Sequence, residues 1–120
     1  MNRLGSLPVP NAGEDIAALP SPSEEMVLTI LKDRYSKDEI FTRIGQSAMI
    51  SVNPMKHHEK YSETIGKLYA DYNRDVSPTK NRLDPHIFDL AGSAYMHMWR
   101  DQQDQCILIV YAIYIFFSYK

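Results

Sequence analysis

The sequence predicts an α/β chain with helices, a short β-hairpin and a C-terminal strand. Three observations predict it. Apolar residues recur at helical spacing in separate stretches. Two short β-rich runs, 40–44 and 48–52, flank Gly45-Gln46-Ser47, the grammar of a hairpin. The segment Ile107 to Tyr119 is apolar throughout and rich in β-branched and aromatic residues, which suits a buried strand.

The elements follow in order. Residues 1–20 contain Leu7-Pro8-Val9-Pro10 and Asn11-Ala12-Gly13 with little periodicity, and read as an extended or disordered arm. Ser21-Pro22-Ser23-Glu24 reads as a helix start, with Ser21 as cap, Pro22 in the first turn and Glu24 completing a capping box. Val27, Ile30 and Leu31 share one face, to which Tyr35 can be added. Lys32, Asp33, Arg34, Lys37 and Asp38 form the wet side. The hairpin comes next, and its second strand should end near Asn53, because Pro54 has no N–H for a ladder.

A second helix fits Ser62 to Tyr72, with Ile65, Leu68, Tyr69 and Tyr72 at i, i+3, i+4 and i+7. Asn73 to Leu83 is polar, contains Ser77-Pro78, and reads as a surface loop. A third helix should open at Asp84-Pro85 and bury Ile87, Ala91, Ala94, Tyr95 and Met98.

Composition bounds the function. A chain of 120 residues is one domain at most. A net charge of -2 provides no basic field for nucleic acid. The one cysteine, Cys106, excludes an internal disulfide, and in an apolar run it behaves as a small hydrophobe. No apolar run follows Met1-Asn2-Arg3, so no secretory signal is expected. Ile107 to Tyr119 is shorter than the roughly 20 residues a spanning helix needs. His57-His58 has no ligand-spaced partner for a metal. His86 and His97 read as capping or packing groups. No Ser-His-Asp or paired-carboxylate arrangement stands out.

Five blocks in order carry a resemblance. They are Glu14-Asp15-Ile16-Ala17-Ala18-Leu19 with Glu24 or Glu25, then Phe41-Thr42-Arg43-Ile44-Gly45, then Val52-Asn53-Pro54-Met55-Lys56. Pro85-His86-Ile87-Phe88-Asp89-Leu90-Ala91 and Asp104-Gln105-Cys106-Ile107 complete the set. Together, over about residues 14–109, they resemble the first part of a myosin motor head. Asp75 to Lys80, Tyr95-Met96-His97-Met98 and Asp101 to Gln105 look most like fungal heads, some of which are fused to a chitin synthase.

The resemblance implies an incomplete, N-terminal part of a phosphate-loop motor domain. It divides the chain into an arm (1–20), a partial motor domain (21–110) and an atypical apolar tail (111–120). Asn53, Pro54, Lys56 and Tyr61 are implied to wall the adenine side of an ATP site. A tyrosine hydroxyl and an asparagine amide can both reach purine nitrogens. The plainer reading of the same residues is a strand ending at a proline turn, with Tyr61 stapling the next helix. His57, His58, Glu59 and Lys60 depart from the apolar or prolyl residues usual there.

In the family the last strand runs into Gly-Glu-[Ser/Thr]-Gly-x-Gly-Lys-[Ser/Thr]. That loop's amides, lysine and hydroxyl hold the triphosphate and Mg²⁺. Residues 110–120 contain no glycine, and Lys120 has no loop around it. The tail has three readings: a core strand of a short variant, a membrane-touching tail, or translated intron, since a valine codon opens with the bases that open most introns.

The expectation is a truncated head of an actin-based motor, cytoplasmic and cytoskeleton-associated. ATP and Mg²⁺ are the family's ligands, but tight binding and hydrolysis are not expected here. The alternative is a small interaction module that pairs its C-terminal strand with a partner sheet or with itself. A small protein binding ATP through adenine contacts alone is a third reading.

Overall fold

Asp15 ties the start of the fold to the hairpin. The computed structural model describes residues 13–111, and within them Asp15 forms a parallel bridge with Arg43. The Arg43 amide donates to Glu14 O at 2.8 Å. The Asp15 carboxylate accepts from the amides of Ala17 at 3.0 Å and Gly45 at 2.8 Å. This closes a 3-10 turn at Ile16–Ala18 and buries Ile16. Residues 13–20 therefore fold against the hairpin, whereas the sequence reading placed them in an extended arm. The rest of that arm, 1–12, lies outside the described residues.

Helix α1 spans Glu24–Ser36. Its cap is Ser23, whose hydroxyl accepts from Met26 N at 3.2 Å, and not Ser21. Ser21 takes a left-handed φ of 50° and Pro22 precedes the cap, so Glu24 and Glu25 fill the first turn, where the helix dipole favours them. Val27, Ile30 and Leu31 are half-buried as expected, while Tyr35 is exposed. Arg34, expected on the wet side, is buried instead. Its Nε donates to Thr42 Oγ1 at 2.9 Å and its Nη2 to Phe41 O at 2.8 Å, while Glu39 lies 3.6 Å away. A planar guanidinium can meet several acceptors at once, which makes its burial affordable.

Strands β1 (Phe41–Ile44) and β2 (Ala48–Ser51) form an antiparallel hairpin with Phe41 opposite Ser51 and Ile44 opposite Ala48. Val52 N donates to Ile40 O at 2.9 Å, which extends the pairing by one rung. Gly45 opens the connection at φ 69°, a backbone that side chains with a Cβ adopt only with strain. β1 is the most buried element: Phe41, Thr42 and Arg43 are all buried, and Ile40 just before it is too.

A second 3-10 turn, Glu59–Tyr61, leads to α2 (Glu63–Arg74), capped by Ser62. Tyr69 is its buried anchor, and its hydroxyl donates to Asp84 O at 2.7 Å. Burial, with Asp84 and Asp89 nearby, pushes the Tyr69 phenol up to about 12. Helix α3 spans Ile87–Asp101 and packs on α2 and β2. Gly92 lets α2 approach closely: a Cβ there would sit 2.6 Å from Asn73 Nδ2 and 3.0 Å from its Cγ.

Three expectations for the C-terminal part are corrected. The cap of α3 is His86, not Asp84, and the side expected to be buried is largely exposed. Ile87, Ala91, Tyr95 and Met98 face outward, and Phe88, Leu90, Gly92, Ser93 and Met96 are the half-buried set, with Ala94. Residues 102–111 are exposed and irregular, so the expected strand is not formed over 107–111. A strand needs a neighbour, and β1 and β2 are each other's partners. Residues 112–119 of that expectation lie outside the described residues. Among the described residues, three helices and a hairpin thus make up the α/β fold. No described helix is long and apolar enough to cross a membrane.

Candidate functional site

The chain turns away from the hairpin at Asn53-Pro54. Asn53 Oδ1 accepts from Met55 N at 2.8 Å, closing a side-chain turn that allows Met55 a left-handed φ of 55°. Its amide nitrogen is left free to donate among the described residues, and Asn53 is exposed. The Pro54 carbonyl accepts from the Tyr35 hydroxyl at 3.4 Å, which pins the turn to α1. Lys56 reaches back to Asp38, with Nζ 2.8 Å from Oδ1. The Lys56 ammonium holds the Asp38 carboxyl below its ordinary range, and Asp38 in turn pushes the Lys56 ammonium up. Both side chains are more than half exposed, so this pair orients the turn more than it stabilises the fold.

Tyr61 stands on the other side of the segment. One ring face is used internally, with edge-on contacts to Phe41 (6.1 Å), His86 (6.0 Å) and Phe88 (6.2 Å). Half of the residue remains exposed, and its hydroxyl has no partner among the described residues. Tyr61 lines an open cleft of about 620 Å³ with His57, His58, Lys60 and Ile65. Lys56 lines a neighbouring cleft with Asp38 and Glu39. The four expected residues thus sit on one continuous segment but do not close around one pocket.

His86 is the residue that organises this region, and sequence reasoning gave it only a bland role. It is 1 % exposed. Its Nδ1 accepts from Phe88 N at 2.9 Å, and its Nε2 lies 2.8 Å from Lys60 O. The two partners settle the tautomer: Nε2 carries the proton and donates, while Nδ1 accepts. The ring stacks obliquely on Phe41 (4.6 Å), Phe88 (4.4 Å) and Tyr69 (4.9 Å). Burial pushes the imidazole below its ordinary range, and the Lys60 carbonyl works against that. One side chain therefore caps α3, holds the 59–61 turn and joins β1 to α2. The signal for it was the Pro85-His86 pair directly before a helical run. His58 does similar work nearby: it is buried, accepts from Lys60 N at 3.3 Å, and sits 3.4 Å from Asp38.

An exposed amide, a free phenol and an aromatic edge can meet a heterocycle. Among the described residues no group of three or more histidines, cysteines or carboxylates could hold a metal ion. The described backbone also offers no glycine-rich cradle of successive amides for a triphosphate.

Comparison with known proteins decides the lineage. The family model for the myosin head (motor domain) matches residues 13–111, which are also the residues the structure describes. The chain belongs to the myosin head family. It is 32% identical over 102 residues to unconventional myosin-IXAa of Danio rerio, covering 85% of this chain and 4% of that protein. It is 35% identical over 96 residues to the myosin IB heavy chain of Dictyostelium discoideum, covering 80% of this chain and 8% of that one. Unconventional myosin-IXb of Rattus norvegicus shares 36% over 106 residues, covering 88% of this chain and 5% of that protein. The chain thus spans less than a tenth of the length of these myosin relatives.

Proposed function

We propose that this segment forms the adenine-facing wall of a myosin motor's nucleotide site, and that the 120 residues by themselves neither hydrolyse ATP nor bind it tightly. One observation carries the reading. The family match runs through Asn53, Pro54, Lys56 and Tyr61, yet residues 110–120 contain no glycine from which a phosphate cradle could be made. Asn53 and Tyr61 supply the purine contacts, Pro54 fixes the turn, and Lys56 anchors it to Asp38. The triphosphate and its Mg²⁺ carry most of a nucleotide's charge, so a site without a cradle distinguishes ATP from adenosine only weakly. Actin as partner and a cytoskeletal, cytoplasmic setting belong to the same reading, as properties of a complete motor. The fungal subtype rests on the residues around 75–80 and 95–105 alone.

Adenosine titrated into the purified chain tests the wall. Shifts in the Asn53 and Tyr61 resonances, lost in Asn53→Ala and Tyr61→Phe, are the expected result. Saturable binding that both variants leave unchanged would move the site elsewhere.

A second reading has its own observation. Ile107 to Tyr111 are apolar and 52% to 83% exposed. A run of this kind can pair with a partner sheet or with a second copy. Loss of self-association in a variant carrying Leu108→Lys and Val110→Lys would favour that reading.

A further inference from the structure

We propose that Ser77 is a phosphoacceptor for a proline-directed protein kinase and that Lys80 receives the phosphate. The segment Ser77-Pro78-Thr79-Lys80 lies on the exposed loop between α2 and α3. Pro78 leaves no N–H after the acceptor, which suits a kinase whose site takes a proline ring next to the reacting hydroxyl. Lys80, three residues on, adds a cation for an anionic group on such an enzyme.

The loop geometry supports an acceptor role. Ser77 to Lys80 form a turn with Pro78 at its second position, closed by a long Lys80 N to Ser77 O bond of 3.4 Å. A bond of that length holds the turn weakly, so the loop can open onto an enzyme. The Ser77 hydroxyl is 3.1 Å from Thr79 Oγ1, and the Ser77 amide donates to Asp75 Oδ1 at 2.9 Å. Neither contact buries the hydroxyl, and Ser77 lines two open clefts.

The reception site is already assembled. Lys80 Nζ donates to Tyr72 O at 2.8 Å and Asp75 O at 2.6 Å, and lies 4.1 Å over the Tyr72 ring. Among the described residues no carboxylate pairs with it. Two of the ammonium's three donors go to those carbonyls, and a phosphate oxygen competes with the Tyr72 ring for the third. Arg82 lines one of the clefts beside Ser77 and Arg100 the other, but each already faces a carboxylate, Asp15 at 3.7 Å and Asp101 at 2.9 Å, so Lys80 is the cation without such a partner among the described residues. Two carboxylates oppose the phosphate: Asp75, whose Oδ1 accepts from the Ser77 amide, and Asp89, which lines one of the clefts and pairs with Arg43 at 3.2 Å.

In the reaction the Ser77 Oγ attacks the γ-phosphorus of the kinase's ATP. The Oγ–P bond forms, the bond to the β-phosphate oxygen breaks, ADP leaves, and the hydroxyl proton passes to the kinase's base. The product carries nearly two negative charges beside Lys80. That charge fastens the 75–80 turn to the end of α2, a local electrostatic switch.

The experiment treats the full chain with a cyclin-dependent type kinase and Mg-ATP, then maps the phosphate by mass spectrometry. One phosphate on Ser77 is expected, absent in Ser77→Ala and at least about tenfold slower to form in Pro78→Ala, a change of roughly 1.4 kcal/mol in barrier. No incorporation, or equal labelling of Thr79 in every variant, would overturn the acceptor assignment. Phosphorus NMR titration then reads reception. The phosphoserine should titrate below the value of a 73–83 phosphopeptide, and Lys80→Met should return it there. A phosphate that titrates identically in chain and peptide would overturn Lys80 as its receiver.

Discussion

At the scale of single residues the fold depends on buried polar side chains more than on a large apolar core. Among the described residues Ile16, Ile40, Phe41 and Tyr69 are the buried hydrophobic residues, and Arg34, Thr42, Arg43, His58 and His86 are buried as well. Buried side-chain nitrogens and oxygens must be matched, and among the described residues Arg43 Nε is the one without a partner. His86 shows the consequence. His86→Phe keeps the aromatic contacts but orphans Phe88 N and Lys60 O, so it should cost about 1–3 kcal/mol in urea unfolding. The same variant should alter the pH profile. The folded imidazole titrates below its unfolded value, so the unfolded chain binds more protons as pH falls below about 6.5. Wild-type stability is therefore fully present above that pH and declines beneath it, and His86→Phe should remove that part of the decline. An unchanged acid profile would show that His86 is not the titrating group. Of these polar burials only His86 is legible beforehand, as a capping or packing group at the start of a helical run. Arg34 falls among charged neighbours in the sequence, and only the Phe41 and Thr42 oxygens opposite it explain why it turns inward.

At the scale of elements, the hairpin and α2 were readable because local chemistry and tertiary contacts agree there. Gly45 supplies the left-handed turn, β-rich residues on either side supply the strands, and Ile65, Tyr69 and Tyr72 keep helical spacing toward the core, while Leu68, expected with them, is exposed. α3 was readable as a helix but not in its facing. Ile87, Tyr95, Met98 and Trp99 give it an apolar side, and apolar spacing shows that a face can be buried without showing what lies against it. Gly92 meets Asn73 of α2, where the two helices approach closely. Gly92→Ala tests that approach. Alanine gains up to about 1 kcal/mol of helix propensity. The added methyl must displace Asn73, whose Nδ2 donates to Tyr69 O at 2.9 Å. Overpacking and the lost bond together should outweigh the gain, for a net destabilisation of about 1 kcal/mol or more by thermal melting. A stabilised variant would mean that Asn73 yields freely.

At the scale of the whole molecule the described residues look like one part of a larger assembly. Tyr95, Trp99, Leu108, Ile109 and Val110 expose much of their apolar surface, and in a soluble monomer such surface marks a contact or a tendency to associate. The Tyr95→Lys, Trp99→Lys double variant should bind less of a hydrophobic dye and associate less, with stability changed by no more than about 0.5 kcal/mol per site. A large loss of stability would show that these side chains serve this chain's own core. The segment proposed for the adenine side was legible as a run of residues, but the parting of Lys56 and Tyr61 into two neighbouring clefts was not, because Lys56 turns to Asp38 while Tyr61 turns to His86.

On the proposed reading purine contacts stand apart from phosphate chemistry, and ATP compared with adenosine on the purified full chain distinguishes the two. With Mg²⁺ present, the two ligands should bind with affinities within about tenfold of each other, and no phosphate should be released. ATP bound orders of magnitude more tightly than adenosine, or hydrolysed at a rate that Lys120→Ala abolishes, would contradict the account.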